Sequence, residues 1–197
     1  MHQMMMMAYG PAASGASALA WNPANNSAGI TLSESNYLAS RNSGSAWRST
    51  AGTPARSAGK HFAAVQRVGA PEWSIVIGLA ASRPGDGAFV GGGATDWGLQ
   101  CGGGPGANLI HSGAVVGTAI TTIADGDNVR IAVDFDAGEA WIGNQTVWHG
   151  GGDPAAGTTP SFTFTPNTSL LVAASLFSNT SGCRIVTGTP PSGFSQW

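Results

Sequence analysis

The chain has 197 residues, only 9% of them charged, with eight basic and ten acidic side chains and a net charge of −2. Lys60 is the sole lysine, so no basic cluster exists to neutralise phosphates, which excludes a nucleic-acid binder. No apolar run approaches the ~20 residues of a membrane helix, and 42% hydrophobic residues with seven Trp and seven Phe exclude a wholly disordered chain.

Residues 1–20 form a separate zone. Met4, Met5, Met6 and Met7 precede a stretch of Ala, Ser and Gly with no periodicity. The start lacks the basic n-region of a secretory signal. The composition predicts an irregular N-terminal arm, with the four methionines as an apolar anchor on a partner chain, because flexible Met side chains fill irregular gaps. Residues 21–197 form the domain proper.

From Trp21 onward the pattern is β. Short candidates run over 29–33, 37–40, 46–50 and 60–65. Trp73–Ala80 is a strong strand, with Trp73, Ile75, Ile77 and Leu79 on one face and the smaller Ser74, Val76, Gly78 and Ala80 on the other. Weaker strands follow at 97–101 and 108–111. Asn128–Asp136 is the clearest: Val129, Ile131, Val133 and Phe135 alternate with Asn128, Arg130, Asp134 and Asp136, predicting an apolar inner face and a wet outer one. Asp136-Ala137-Gly138 then turns the chain, with Gly138 in the left-handed position, and the partner strand begins at Glu139. A short strand at 162–164 precedes Ser169–Phe177, which is apolar on both faces and reads as a central strand; 183–186 closes the series. No segment carries ten residues at helical spacing. Short strands between Gly- and Pro-rich turns predict an all-β antiparallel sandwich. Its core should contain Ile75, Ile77, Val129, Ile131, Val133, Phe135, Leu170 and Val172. Two cysteines, Cys101 and Cys183, give no disulfide framework and are expected as buried free thiols.

Several blocks carry a family resemblance: Trp21-Asn22-Pro23, Gly59-Lys60-His61-Phe62-Ala63-Ala64-Val65, Ile77-Gly78-Leu79-Ala80, and above all Asp125-Gly126-Asp127-Asn128-Val129 with Asp134-Phe135-Asp136-Ala137-Gly138. Together they resemble a SPRY domain across residues 21–188. The segments Trp141-Ile142-Gly143-Asn144 and Trp148–Gly157 are similar to the SPRY variety of bacteriophage and prophage structural proteins. The resemblance implies a bent β-sandwich of the concanavalin A-like jelly-roll type. It also implies a virion protein present in many copies, which decorates a capsid or belongs to a tail.

The chemistry-bearing residues suggest binding rather than catalysis. Asp134 and Asp136 resemble the alternating carboxylates of a retaining glycosidase, which stand about 5–5.5 Å apart. Here, however, Ala137-Gly138 turns the chain before Glu139. The four histidines (His2, His61, His111 and His149) have no ligand spacing, the Asp125–Asp136 stretch lacks the terminal Glu of a calcium loop, and no nucleophile elbow exists. No catalytic residue, metal or cofactor is therefore expected. Arg83, Asp86 and Phe89 share one Gly/Pro-rich loop; Trp148, His149 and Asp153 share another. An aromatic ring beside hydrogen-bonding groups suits contact with a protein or a sugar, and a sandwich is expected to present its loops at its ends, where such residues gather. Three readings follow: a non-enzymatic virion module joined to other virion proteins through residues 1–20, a carbohydrate-binding module for host-surface glycans, and, remotely, a glycan hydrolase.

Overall fold

Alternation along each strand decides which side chains face inward, and antiparallel pairing then builds two layers. The computed structural model describes residues 18–69, 71–102 and 106–197. The methionine run lies outside them. With strands numbered in chain order, the first sheet has the spatial order β1 (Ala20–Asn26), β4 (Arg48–Thr53), β13 (Leu171–Leu176), β6 (Ile75–Ala80), β7 (Asp96–Gln100), β8 (Ala107–His111) and β9 (Ala114–Ile120). The second runs β12 (Phe162–Thr163), β11 (Glu139–Gly143), β10 (Asn128–Asp134), β5 (Lys60–Gly69), β14 (Ser181–Val186), β3 (Leu38–Arg41) and β2 (Ile30–Ser33). A last strand, β15 (Ser195–Gln196), lies parallel against β5. All other pairings are antiparallel, so the chain is an all-β, two-sheet sandwich.

The interior holds the expected core. Ile75, Ile77, Val129, Ile131, Val133, Phe135, Leu170 and Val172 are all fully buried, in one cluster that spans the two sheets. Leu19 packs into the same cluster, so the core begins two positions before Trp21. Cys101 and Cys183 are buried free thiols within it.

The hairpin after β10 explains the most specific sequence block. Gly138 takes φ +72° and donates its N–H to the Asp134 carbonyl at 2.9 Å. A β-carbon there would stand 2.2 Å from the Phe164 carbonyl oxygen, so only glycine fits. The two aspartates are structural. Asp134 pairs with Lys60 at 2.8 Å and accepts the Ala137 N–H at 3.0 Å, while Asp136 accepts the Gly59 N–H at 3.0 Å. The Gly59-Lys60 and Asp134–Gly138 blocks are thus one bonded unit on neighbouring strands.

Three expectations need correction. Trp73 does not share the inner face of β6. It sits in a short 3-10 turn, Glu72–Ser74, and is 45% exposed, because the strand begins only at Ile75. The outer face of β10 is not uniformly wet: Ala132 and Asp134 are buried. Ala132 joins Phe62, Ala64 and Trp141 in a second apolar cluster, which is covered by Trp148, Val186 and Phe194. Third, the two loops that carry Arg83 and Trp148 do not simply project from the ends of the sandwich but fold back over the sheets. On the first sheet, loop 81–95 lies over Ala51, Val76, Ala80 and Ala173 with Val90 inserted. The small face of β6 makes this possible. A β-carbon on Gly98, the partner of Gly78, would meet the Val90 carbonyl oxygen at 2.4 Å.

Candidate functional site

The antiparallel register gathers aromatic side chains that are distant in sequence. Leu176, the last residue of β13, pairs with Arg48 of β4 and Ile75 of β6. The residues just outside these strand ends therefore meet at one end of the first sheet: Trp47, Phe177 and Trp73. Ring centroids are 5.4 Å apart for Trp73–Phe177 and 5.2 Å for Phe177–Trp47. Loop 81–95 adds Phe89, 5.3 Å from Trp47. The result is a continuous row of four rings, one of them substantially exposed.

Buried hydroxyls hold the loop in place. Ser175 accepts the Val90 N–H at 2.9 Å and bonds Ser49 at 2.8 Å. The Gly87 N–H donates to the Trp47 carbonyl at 3.0 Å, and the Gly91 N–H donates to Asp96 at 2.8 Å. Phe89 and Arg83 are thereby carried on a loop fixed at both ends.

A polar group borders the aromatic row. Arg83 donates to the Ser27 hydroxyl at 2.6 Å and stands 3.4 Å from the Asp86 carboxylate. Arg48 approaches the same carboxylate at 3.6 Å. Arg41, held by the Gly29 carbonyl at 2.9 Å, belongs to the same field: its pKa is lowered by burial first and then by the charge of Arg48. A hydrogen bond with Ser27, then the charges of Arg48 and Arg83, hold the Asp86 carboxyl below its usual range despite slight burial. Two guanidinium groups, Arg48 and Arg83, thus flank one exposed carboxylate, the buried Arg41 adds a third positive charge nearby, and the patch is cationic.

Of the residues expected at a binding surface, Arg83, Asp86 and Phe89 converge here. Trp148, His149 and Asp153 do not. They lie on a separate loop, which lays Trp148 over the outer face of the second sheet. Trp148 stacks on the Arg130 guanidinium, 4.3 Å from ring centroid to carbon, and Arg130 donates to the Asn144 carbonyl at 2.6 Å. His149 packs against the backbone of Gly117 on β9. Both its ring nitrogens are shielded without a partner, and burial lowers its pKa. Asp153 accepts the Ala155 N–H at 2.9 Å and shapes a turn. These three side chains are occupied in shaping their own loop and holding it against the sandwich.

Sequence reasoning missed Trp47, Arg48, Trp73 and Phe177. The one local signal is an aromatic residue placed just beyond a strand end; their proximity depends on strand register. Among the described residues no group of three or more His, Cys, Asp or Glu could hold a metal ion, and no helix is long and apolar enough to cross a membrane.

The architecture matches solved structures closely in shape and weakly in sequence. The chain resembles the SPRY domain of human HERC1 (TM-score 0.64, 12% identity, covering 86% of this chain and 99% of that one). It also resembles the TRIM65 PSpry domain (TM-score 0.63, 14% identity, covering 87% and 93%) and a human SPRY domain (TM-score 0.58, 15% identity, covering 82% and 97%). No family model matches the sequence, and no curated protein matches it. The likeness establishes the SPRY-type sandwich fold.

Proposed function

We propose that this chain is a non-enzymatic protein-binding module whose contact surface is the aromatic row Trp73–Phe177–Trp47–Phe89 with its arginine border. The observation that carries the reading is the pairing of four contiguous rings with two guanidinium groups, Arg48 and Arg83, that share one carboxylate. Aromatic and arginine side chains dominate the energetics of protein interfaces, and the incompletely neutralised arginines suit carboxylates or carbonyls of a partner. A protein suits this surface better than a sugar: neighbouring rings are inclined by 40–63° and present no flat stacking platform.

The setting proposed for this module is the virion of a tailed phage. The support is the likeness of the Trp141–Asn144 and Trp148–Gly157 segments to phage and prophage SPRY proteins, together with the low charge of the chain. Residues 1–20, through Met4–Met7, fix each copy to other virion proteins, and the aromatic–arginine surface faces outward.

The test is panning of a random peptide-display library on the wild-type chain and on a W47A/R83A/F89A variant. Peptides enriched on the wild type and lost on the variant support the reading. Equal enrichment refutes it. A parallel glycan array on the same pair examines the carbohydrate-binding alternative. Mass spectrometry of purified phage particles tests the virion placement.

A further inference from the structure

A cleft of about 390 Å³ opens where the two ends of the described chain converge. On one side of β5, β14 pairs with it from Ala64 to Gly69, and β15 pairs with it at His61 and Phe62. The chain between Val186 and Ser195 leaves the sheet, and the cleft lies at that departure. Its walls are Leu19, Phe62, Ala64, Ile185, Val186 and Trp197, with Tyr37 among the lining residues. They are firmly set. Leu19 and Trp197 are nearly buried, and Trp197 donates its backbone N–H to Phe62 and its indole N–H to Pro54, each at 2.8 Å. The cleft is therefore a fixed, mainly apolar concavity, with Tyr37, Thr187 and Gln196 as its polar lining side chains.

Ala18, the first described residue, also lines this cleft. Seventeen residues precede it, and they contain the only strongly apolar run outside the sandwich, Met4–Met7. Residues 8–17 separate that run from Ala18 and span at most roughly 35 Å when extended. A domain whose radius of gyration is roughly 16 Å is about 42 Å across, so the run reaches a touching neighbour's cleft when that cleft lies within about 35 Å of Ala18. Unbranched methionine side chains adapt to irregular apolar walls. An extended segment points successive side chains to opposite sides. A single cleft covers one side of the run; the other side is covered only when the run lies between two domains.

We propose that Met4–Met7 of one copy seats in this cleft of a second copy of the same chain. The proposal deepens the reading that the arm fixes the protein in a multi-copy particle, and it names the surface that receives the arm. The experiment exploits the composition: all five methionines lie within residues 1–7, so methyl-¹³C-methionine NMR reports on the arm alone. A labelled full-length Ala64→Phe chain, cleft filled and arm intact, is mixed with an unlabelled full-length chain carrying Met4–Met7→Ser, cleft open and arm inert. A labelled Thr187→Trp chain, which obstructs the rim from an exposed position, repeats the measurement if Ala64→Phe perturbs folding.

The expected result is an upfield shift and broadening of the methionine methyl signals in the mixture, saturating near one-to-one, and none in the labelled chain alone. Signals that stay unshifted in every mixture overturn the proposal. So do wild-type methyls that are shifted at any dilution, because the run then seats in its own cleft. Incorporation of the Met4–Met7→Ser chain into particles separately decides the anchoring reading: a serine variant excluded from particles, with no shift in the mixture, leaves the anchor standing and removes the cleft as its receiver.

Discussion

Truncation of Phe135 to alanine tests the register of the whole sandwich. Phe135 follows β10, is fully buried and is ringed by aromatic neighbours: Phe164 at 6.0 Å, Trp197 at 5.7 Å and His61 at 6.1 Å between centroids. Removing a buried phenyl ring costs about 3–5 kcal/mol through lost transfer energy and the cavity left behind. The value should lie in the upper half of that range. The lost edge-on contacts with Phe164 and Trp197 each add about 0.5–1.5 kcal/mol, and the site has little freedom to collapse because Trp197 is pinned by its bonds to Phe62 and Pro54. Against a total stability of about 5–15 kcal/mol this is a large fraction. In urea, with a slope of about 2 kcal/mol per molar, the unfolding midpoint should fall by roughly 2 M at unchanged slope. Equilibrium denaturation followed by tryptophan fluorescence and far-UV circular dichroism measures it. A midpoint displaced by less than about 0.5 M would refute the placement of Phe135 between the sheets.

Further outcomes follow from individual contacts. Gly78→Ala places a methyl group 2.0 Å from the Trp97 carbonyl oxygen, and overpacking of this kind should lower stability by about 1–3 kcal/mol in the same urea assay, whereas Gly126→Ala, where nothing lies within 4 Å but φ is +85°, should cost only the backbone strain of about 1 kcal/mol. The lowered pKa of His149 means that the unfolded chain takes up its proton first as pH falls. Its contribution is therefore present above the ordinary histidine pKa of about 6.5 and is lost as pH drops from there toward the depressed folded value. His149→Phe should flatten stability against pH across that window; an unchanged slope would show that the ring is not shielded. Burial pushes the Cys101 thiol up to about 12, and Cys183 higher still. Native protein should therefore resist thiol-reactive dye at pH 8, and both cysteines should react on unfolding; rapid labelling of the native chain would contradict their burial.

The strands with strong local alternation were legible from the sequence. Val129 to Phe135 and Ile75 to Leu79 each place an apolar residue at every second position, and a period of two identifies the buried face without reference to the partner strand. The Asp136-Ala137-Gly138 turn was equally plain, since a left-handed backbone admits few residues other than glycine. Tertiary structure decided what lies over those strands and what meets at their ends. Trp73 continues the alternation of β6 in sequence, yet it stands outside the sheet because the strand pairs only from Ile75. The outer face of β10 reads as wet, yet a loop and a C-terminal segment from far along the chain shield part of it. The candidate site depends most on this second kind of information. Trp47, Trp73, Phe89 and Phe177 come from four separate segments, and only the pairing of Leu176 with both Arg48 and Ile75 brings three of them to one end of the sheet. Side-chain alternation is a local property of an extended backbone, so sequence carries it. Which strands lie side by side, and where loops come to rest, is a balance of long-range contacts that no short stretch of residues contains.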